Sequence, residues 1–496
     1  MSFPVKKLLK LLKVKSVNGN LPSTVSGISQ DSRRVKSGYI FAARSGENYS
    51  VSKFAGAAAN AGAVMILTDG TGYIQTELPT IIVSNFHTAL VDASKLIYND
   101  PSSRLKLIGI TGTDGKTSTA HIIQSILMSA GYHCGMLGTI GYDTISNWNE
   151  ASLTTPDIDE ISELLDEMTH SGSSNEPIWA VMEVSSHALE LGRINGLSFS
   201  AAGITNLNSE HMDFHLTLDN YAQTKAKLFS LLNDDIPGVI NISANMSDVM
   251  IEACTGKAVS YGLSSSGADY QLNTLSHALT GGAFHLEGSS EQIDLQTELI
   301  GEYQGENIAL ASAILLELGI GSKDIIKGVK ALSNVPGRME RVVCGQPFTV
   351  MVDYAHTAQA LENSIRTIKQ LCNAKLISVF GCGGDRDRTK RSEMGRVVAE
   401  TADTLIVTND NPRTEDPLQI IDDILTGIKP EDLHRVLIEP ERDLAIKLAI
   451  KVSEDGDVLI ISGKGAETYQ LIGDIKHPFD DREVARKALS QAGWAK

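Results

Sequence analysis

The amino-acid sequence predicts an α/β protein of several domains, and three observations support this prediction. Residues 105–119 combine an apolar strand, a glycine-spaced turn and the start of a helix. Two further apolar runs of strand length lie at 178–184 and 201–207, and residues 348–461 alternate strand-like with helix-like segments. Such alternation is typical of parallel sheets covered by helices. Because 496 residues exceed a single ordinary hydrophobic core, we expect roughly two to four domains.

Three blocks can be separated along the chain. Pro101-Ser102-Ser103 is typical of a linker, and the second block closes near Pro336-Gly337-Arg338-Met339-Glu340. The predicted domains are therefore residues 1–104, 105–341 and 342–496. The first mixes short strands with an alanine-rich helix, and the second opens with the glycine-spaced turn and carries a mostly parallel sheet.

The third block predicts a doubly wound parallel sheet. Its strands are predicted at 348–354, 375–380, 404–408 and 458–461, and its helices at 358–372, near 394–401 and at 417–428. Ligands of such sheets bind at the carboxyl ends of the strands. In the second block, helices are predicted at 116–131, 218–232 and 306–318.

Composition and charge exclude several classes of function. The net charge is −17, from 43 basic and 60 acidic residues, and nucleic-acid binding without sequence preference requires a basic face. The five cysteines are scattered without CxxC spacing, which suits a reducing cytosol and offers no zinc site. No run approaches the roughly 18 apolar residues of a membrane span.

The first 16 residues, MSFPVKKLLKLLKVKS, have lysines between the leucines, so they lack the apolar core of a signal peptide. They could form a helix on a membrane surface. We expect instead a first helix packed on its own domain, and a cytoplasmic protein without a membrane partner.

The turn after the first strand of the middle block predicts a phosphate-binding loop. Its glycines stand at Gly109, Gly112 and Gly115, followed by Lys116 and Thr117. Glycines let successive N–H groups point at phosphate oxygens, while the lysine supplies a cation, the threonine a Mg²⁺ ligand, and the helix its positive end. The ordinary Walker A spacing would place a glycine at position 110, which is isoleucine. A chance glycine-rich turn is the alternative.

A second set of polar residues follows the next strands of this block. Glu183 comes directly after four apolar residues, where an unpaired buried carboxylate would be costly; it predicts a metal ligand or a structural salt bridge. The loop at 208–215 holds two histidines and an aspartate, typical of a catalytic or metal-binding loop. In the following helix, Tyr221 and Lys225 share one face. Spacing alone assigns no role to Lys225.

Taken together, these motifs resemble those of the Mur ligase family, the ATP-dependent amide-forming enzymes of peptidoglycan precursor synthesis. The resemblance runs along the whole chain, in five motifs at 109–117, 183–187, 206–215, 337–340 and 353–357. It implies a three-domain enzyme with an N-terminal domain for the UDP-sugar, a central P-loop ATPase, and a C-terminal Rossmann-like domain that brings the amino acid.

Within the family, the chain is most similar to members that add the third residue of the stem peptide, and among these to members that select meso-diaminopimelate. The resemblance implies substrate-binding roles for two sets of residues. On the UDP-sugar and dipeptide side these are Ser32, of a DSR segment, Thr154, Thr155, Ser185 and Arg193. On the amino-acid side they are Arg386, Asp410, Asn411, Pro412, Arg413, Gly463 and Glu467.

The chemistry of the two amino acids favours meso-diaminopimelate over lysine as the substrate. The distal end of diaminopimelate carries a carboxylate that Arg413 could bind through two parallel hydrogen bonds, and lysine lacks that group. The alternative for residues 410–413 is an ordinary turn after a strand, because Asn-Pro is a common turn dipeptide. The basic run at 386–391 could likewise be a solvated loop, and only Arg386 is carried over from the family.

The chain departs from the family pattern at four positions. Asp114 replaces the commoner Asn of the phosphate loop, Leu191 stands where some members have Gln, and Gln304 replaces an Asn. Ala466 replaces the usual His of a GKGHE motif. These changes leave the backbone cradle intact but put details of the dipeptide and amino-acid pockets in question.

The resemblance also implies a mechanism through an acyl phosphate, with Lys116, Glu183, His211 and Lys225 as catalytic residues. One Mg²⁺ would be held by Thr117 and Glu183, and a second by His211 together with Lys225 as a carbamate. The nucleotide would contact the loop and a few positions outside it. These are Gly112, Thr113, Asp114, Gly115, Lys116, Thr117, Ser118, Asn307, Arg338, Asp353 and His356.

Three rival interpretations remain at this level. A folate polyglutamylating enzyme shares the phosphate loop, but Asp31-Ser32-Arg33 and residues 410–413 argue against it. A lysine-adding ligase of the same family is the second rival, and a nonenzymatic ligase-like scaffold is the third. We expect an enzyme that is a monomer, and whose partners are a UDP-N-acetylmuramoyl dipeptide and an amino acid.

Overall fold

The computed structural model describes residues 2–44, 51–71, 76–171, 176–208, 210, 212–289 and 291–494, without the side chains of 51, 52 and 213. The chain divides into two compact units, one of residues 1–271 and 307–328, the other of residues 272–306 and 329–496. In the described part of the chain, no helix is both long and apolar enough to cross a membrane.

The first block forms a small sheet with helices. Its strands are Phe3–Pro4 (β1), Val14–Asn18 (β2), Thr24–Val25 (β3), Gly27–Ser29 (β4), Tyr39–Ala42 (β5), Met65–Thr68 (β6) and Thr80–Val83 (β7), and its helices are Val5–Leu11 (α1), Val51–Asn60 (α2) and Phe86–Ile97 (α3). The sheet order is β2-β7-β6-β5-β4, with β4 to β7 parallel and β2 antiparallel. Val5 and Leu8 are buried, so α1 packs on this block, as expected.

The middle block carries the elements that position the phosphate loop. Its strands are Lys106–Thr111 (β8), Cys134–Leu137 (β9), Gly141–Asp143 (β10), Trp148–Glu150 (β11), Trp179–Glu183 (β12), Ala201–Ile204 (β13), Pro237–Asn241 (β14), Lys257–Leu263 (β15), Tyr270–Ala278 (β16), Gly281–Glu287 (β17), Gln292–Thr297 (β18) and Glu340–Arg341 (β19). Its helices are Lys116–Ser129 (α4), Ile158–Thr169 (α5), Ser186–Glu190 (α6), Met212–His215 (α7), Leu218–Ala226 (α8), Ser247–Ala253 (α9), Tyr303–Glu317 (α10) and Ser322–Ala331 (α11).

In the first unit, six strands of this block pair in the order β9-β12-β8-β13-β14-β15, and these pairs are all parallel. Next to β9, β10 and β11 extend the sheet by two antiparallel pairs. The predicted mostly parallel sheet is thereby confirmed. Parallel central strands are buried on both faces, and each residue of β12 is buried, Glu183 included. The predicted helix at 218–232 was too long. The α-helix ends at Ala226, and a short 3₁₀ helix at Phe229–Leu231 follows, with Phe229 buried.

The third block is a doubly wound sheet, as predicted. Its strands are Thr349–Asp353 (β20), Leu376–Phe380 (β21), Thr404–Val407 (β22), Val436–Ile438 (β23), Val458–Ser462 (β24), Tyr469–Ile472 (β25) and Ile475–Pro478 (β26), and its helices are Ala358–Leu371 (α12), Thr389–Thr401 (α13), Pro417–Leu425 (α14), Arg442–Val452 (α15) and Asp481–Gln491 (α16). The sheet order is β19-β20-β24-β21-β22-β23, parallel apart from β19.

Alternate residues of these strands build the two cores. Met351 and Ile460 belong to the core that α12, α13 and α14 cover, whereas Val350 and Leu459 belong to the core that α15 and α16 cover. The period of two along each strand sends neighbours to opposite faces. The carboxyl ends of β21, β22 and β24 lead into the loops that hold the predicted amino-acid residues.

Candidate active site

The turn between β8 and α4 has the backbone of a phosphate-binding loop. Gly112 and Gly115 have φ angles of +141° and +82°, which other residues rarely adopt. A Cβ on Gly112 would stand 1.8 Å from Thr205 Oγ1, and one on Gly115 would stand 2.3 Å from Asn307 Oδ1. Gly115 also caps α4, so the N–H groups of the first helical turn are available to an anion.

Two lysines meet at one carbonyl of this loop. Lys116 Nζ donates to the carbonyls of Gly112 (2.9 Å) and Thr113 (2.6 Å), and Lys225 Nζ donates to the same Gly112 oxygen at 2.9 Å. Lys225 is 1% exposed and lies 4.4 Å above the Tyr221 ring. Burial, together with the charge of Lys116, holds the pKa of Lys225 well below its usual range, which favours the neutral amine.

The remaining residues of the loop are held by its neighbours in the first unit. Thr113 Oγ1 accepts the N–H of Asn208 at 2.9 Å, and the Asp114 N–H donates to Asn206 Oδ1 at 2.9 Å. The Asp114 side chain is exposed. Ser118 is buried on α4.

Asn307 lies on α10 beside the phosphate loop. Its Oδ1 accepts a hydrogen bond of 3.4 Å from Thr119 Oγ1, and the side chain is buried. A Cβ at position 115 would stand 2.3 Å from Asn307 Oδ1, which is one reason why this position must be glycine.

Glu183 is held by neutral donors. Thr117 Oγ1 donates to Glu183 Oε2 at 2.9 Å, while Thr139 donates its N–H to Oε1 (2.9 Å) and its hydroxyl to Oε2 (3.1 Å). Thr139 Oγ1 also lies 3.1 Å from Thr154 Oγ1. Among the residues that the structure describes, no lysine or arginine pairs with Glu183, so the structural salt bridge is not what stabilises it. A carboxylate and a hydroxyl 2.9 Å apart are the oxygen ligands that Mg²⁺ prefers.

The second predicted metal site is described only in part. His211 lies outside the described residues. Within the described ranges, no group of three or more His, Cys, Asp or Glu side chains could hold a metal ion. The other histidine of this loop, His215, is buried, with Nε2 3.0 Å from Ser186 Oγ and its ring 5.0 Å from the Tyr221 ring. Its contacts are those of a structural histidine.

The residues predicted to bind the dipeptide are assembled around the end of β12. They are Thr154, Thr155, Ser185 and Arg193. Thr155 Oγ1 donates to the Glu183 carbonyl at 2.8 Å and accepts the Ser185 N–H at 2.9 Å. Arg193 donates to the Thr155 carbonyl at 3.2 Å and forms an ion pair with Asp157 at 2.9 Å. Leu191, at the end of α6, is 54% exposed.

The DSR segment lies in a turn after β4. Asp31 and Arg33 form an exposed ion pair of 2.6 Å, and Ser32 between them is half-buried. On either side, Gln30 Nε2 donates to Asp159 Oδ1 at 3.0 Å and Arg34 donates to Glu163 at 2.8 Å. Both acceptors are on α5, which directly follows the segment of Thr154 and Thr155.

Three residues predicted for the nucleotide are grouped around Tyr354 in the second unit. The Arg338 guanidinium lies 4.5 Å above the Tyr354 ring, and the His356 ring lies 4.6 Å from it. The Asp353 carboxylate accepts the Met339 N–H at 2.9 Å and the Ser364 hydroxyl at 2.9 Å. It therefore fixes the loop that carries Arg338.

The loops after β21 and β22 approach each other closely at glycines. A Cβ on Gly384 would stand 1.9 Å from the Pro412 carbonyl oxygen. Arg413, at φ +51°, turns its guanidinium toward this junction and donates to the Gly384 carbonyl at 2.7 Å. Arg386 is exposed and donates to the Asp385 carbonyl at 3.2 Å. The structure thus brings Arg386 and Arg413 to the same pair of loops.

The loop after β24 completes this group. Glu467 Oε2 accepts from Asn411 Nδ2 at 3.1 Å. A Cβ on Gly463 would stand 2.7 Å from Asp410 Oδ2, so this glycine leaves room for the carboxylate. Lys464, which the sequence did not single out, is fully buried and donates to both Asn411 and Glu467.

Sequence reasoning missed two buried arginines of this unit. Arg391 was read as part of a solvated run, yet it is 1% exposed and pairs with Glu415 (2.8 Å) and Asp423 (2.9 Å). Arg442 is fully buried and makes a two-point ion pair with Asp481 at 2.8 and 2.7 Å. A signal existed, because each arginine stands at helical spacing from apolar residues: Met394 and Val398 for the first, Ala445, Ile446 and Ala449 for the second.

This chain is similar to known proteins over nearly its whole length. The Mur ligase middle domain matches residues 110–315, and the Mur ligase, glutamate ligase domain matches residues 337–465. A protein of Solibacter usitatus is 38% identical over 472 residues, covering 95% of this chain and 94% of its own. The chain belongs to the Mur ligase family. A Clostridium tetani protein is 37% identical and covers 98% of this Mur ligase and 99% of its own length.

Both relatives are named UDP-N-acetylmuramoyl-L-alanyl-D-glutamate–2,6-diaminopimelate ligase. A solved structure of a protein with that name has a TM-score of 0.68 and 30% identity to this Mur ligase, covering 99% of the chain and 100% of its own. A MurF ligase from Thermotoga maritima, solved in complex with ADP, is 15% identical with a TM-score of 0.62, covers 95% of this chain and 97% of its own, and shares the fold. The predicted family and α/β class are thereby confirmed.

Proposed function

We propose that this Mur ligase adds meso-diaminopimelate to UDP-N-acetylmuramoyl-L-alanyl-D-glutamate, forming an amide bond at the expense of ATP. The observation that carries the proposal is the similarity, at 37–38% identity over 95–98% of the chain, to relatives with that name. The reaction belongs to peptidoglycan precursor synthesis, and we place it in the cytoplasm, with the enzyme as a monomer. The proposed domains are residues 1–104, 105–341 and 342–496.

The reaction requires activation of a carboxylate, which is a poor electrophile. The γ-phosphoryl group of ATP is transferred to the substrate carboxylate, so that an acyl phosphate forms and ADP leaves. The amino group of the incoming amino acid then attacks the acyl carbon, and the tetrahedral intermediate expels phosphate. Lys116 and the loop amides stabilise the charge on the phosphate oxygens during transfer.

Magnesium fits the oxygen donors next to this loop. Thr117 and Glu183 would hold one ion, because a hydroxyl and a carboxylate 2.9 Å apart suit a small hard cation. His211 and Lys225 would hold a second. When bound, these ions neutralise negative charge on the phosphates and the substrate carboxylate.

Lys225 fits the proposed carbamate. Only a neutral amine can add to CO₂, and burial lowers the pKa of Lys225 in that direction. A carbamate would place an anion beside the Lys116 ammonium, at the Gly112 carbonyl where a second ammonium group would be repelled.

The remaining nucleotide contacts are proposed for Asn307, Arg338, Asp353 and His356. Arg338 and His356 offer a cation and a ring, both next to Tyr354, and Asp353 offers its remaining acceptor capacity to the ribose. The dipeptide is assigned to Thr154, Thr155, Ser185 and Arg193, and the uridine to Ser32.

The choice of amino acid is assigned to the loops after β21, β22 and β24. Arg413 supplies a guanidinium for the distal carboxylate of meso-diaminopimelate, with Arg386 beside it. Asp410 and Glu467 supply carboxylates for an ammonium group, and Asn411, Pro412 and Gly463 shape the loops. A lysine substrate would leave the guanidinium without its partner.

The test is a phosphate-release assay with ATP, UDP-N-acetylmuramoyl-L-alanyl-D-glutamate and either amino acid. We expect kcat/KM for meso-diaminopimelate to exceed that for lysine by at least about 100-fold. Arg413→Ala should remove most of this preference, whereas Arg396→Ala, at an exposed helix pair with Glu400, should keep it. A clear preference of the wild type for lysine would make this the lysine-adding ligase. Absence of phosphate release with both would favour the nonenzymatic scaffold.

A further inference from the structure

Lys464 is a buried lysine in the loop after β24, in a place where a charge is costly. Its side chain is 0% exposed, and the glycines on either side, Gly463 and Gly465, have positive φ angles of +120° and +54°. A buried ammonium is retained only where it is paired and hydrogen-bonded. The partners of Lys464 therefore indicate what the residue is for.

Those partners are two residues assigned to the amino-acid pocket. Lys464 Nζ donates to Asn411 Oδ1 at 3.0 Å and to Glu467 Oε2 at 2.8 Å. Asn411 Oδ1 also accepts the Leu471 N–H at 2.8 Å, and Asn411 Nδ2 donates to Glu467 Oε2 at 3.1 Å. Each atom of the Asn411 amide thus has a partner of matching polarity, and the orientation of the amide is fixed.

The same contacts leave one oxygen of Glu467 available. Oε2 receives two donors, from Lys464 and from Asn411, while no described residue donates to Oε1. The Glu467 side chain is 27% exposed, so Oε1 has access to solvent or substrate. An ionised carboxylate accepts strongly from an ammonium group at such a position.

We propose that Lys464 is a positioning residue for amino-acid selection: it fixes Asn411 and Glu467 so that Glu467 Oε1 receives an ammonium group of the incoming amino acid. This inference rests on the proposed function, whose amino-acid pocket it deepens.

Lys464 also sets the charge of the pocket. Asp410 and Glu467 are two carboxylates on neighbouring loops, and without Lys464 they would attract any cation, lysine included. With Lys464 offsetting one of them, a distal group that bears both an ammonium and a carboxylate is favoured over an ammonium alone. The residue thereby acts on specificity as well as on affinity.

The experiment compares Lys464→Met with wild type and with Lys447→Met, at a half-exposed lysine of α15 paired with Asp443. We expect Lys464→Met to raise the KM for meso-diaminopimelate about 10-fold or more and to lower the preference for it over lysine. The KM values for ATP and for the UDP-linked dipeptide, and the unfolding midpoint of Lys447→Met, should remain as in wild type.

The outcomes separate the inference from the proposed function. If wild type releases no phosphate with either amino acid, the proposed function fails. If wild type is active and folded Lys464→Met shows an unchanged KM for the amino acid, or only a lower kcat with all KM values kept, the positioning role is refuted. Should Lys464→Met not fold, Lys464→Gln decides by the same criteria, because it retains a donor for Asn411 without the charge.

Discussion

The phosphate loop and the amino-acid pocket are built in different ways. The phosphate loop is local: residues 112–118 form it, and its conformation follows from Gly112 and Gly115. The proposed amino-acid pocket gathers loops that start at three strand ends between residues 381 and 467, and largely buried ion pairs hold these loops together. A site made from backbone depends less on individual side chains, whereas a site held by buried ion pairs depends on each partner.

The largest expected effect is at Lys225, a buried lysine that donates to the Gly112 carbonyl of the phosphate loop. We expect Lys225→Ala to lower kcat about 10³-fold, since it removes the proposed carbamate from a site of concentrated phosphate charge. Added short carboxylic acids should restore part of the activity by occupying the space of the carbamate. The measurement is phosphate release with and without formate or acetate.

The control for this rescue is wild type with the same acids, whose rate should not rise. Full activity of plain Lys225→Ala would refute the carbamate. The phosphate loop would then depend on its backbone and Lys116 alone, and would differ still more from the proposed amino-acid pocket, which depends on buried ion pairs.

A second, smaller effect tests the role of the backbone itself. We expect Gly112→Ala to lower ATP-dependent phosphate release about 100-fold, because a Cβ 1.8 Å from Thr205 Oγ1 forces the loop to shift by a fraction of an ångström or more. Gly56→Ala is the matched control: position 56 lies inside α2 with open space around its Cβ, so activity should be kept. An active Gly112→Ala enzyme would contradict a loop that is set by glycine geometry.

The same contrast explains what the sequence could predict. The phosphate loop, the helix after it and four strands of the third block (β20, β21, β22 and β24) were predicted, since regularly spaced glycines and periodic apolar residues carry local information. The order β20-β24-β21-β22-β23 could not be predicted, because no local pattern in the sequence places β24 between β20 and β21.

The buried charged residues Lys464, Arg391 and Arg442 were missed for a related reason. A charged residue is usually exposed, and its burial is explained only by its partners, most of which lie tens of residues away along the chain, such as Asn411 for Lys464 and Asp481 for Arg442.

The predicted helix boundaries were wrong where a charged residue lies on the buried face of a helix. The helix predicted near 394–401 begins at Thr389, because Arg391 is on its buried face rather than in a solvated loop. Helix α15 was not predicted, and its first residue is the buried Arg442. In both cases the missing information is the ion pair, which belongs to the tertiary structure.

The smallest expected effect concerns the ion pairs that hold the amino-acid loops. Arg391 holds the pKa of Glu415 at about 2, below its ordinary 4.5, by donating to its carboxylate. The ion pair therefore stabilises the fold above pH 4.5, and this stabilisation is lost as the pH falls through about 2. At pH 7, Glu415→Gln should lower the free energy of unfolding by about 1.5–3 kcal/mol, since Arg391 loses a charged partner while buried.

Denaturant unfolding at pH 7, 4.5 and 3 measures this difference between variant and wild type. The difference should shrink between pH 4.5 and pH 3, because unfolded wild type takes up a proton at Glu415 near pH 4.5 whereas the folded protein keeps the carboxylate ionised down to about pH 2. Glu400→Gln is the control, because its exposed pair with Arg396 is worth less than about 0.5 kcal/mol at any pH. A constant difference across the range would mean that the amide change acts through packing, and the loops after β21 and β22 would then not depend on the charge of Glu415.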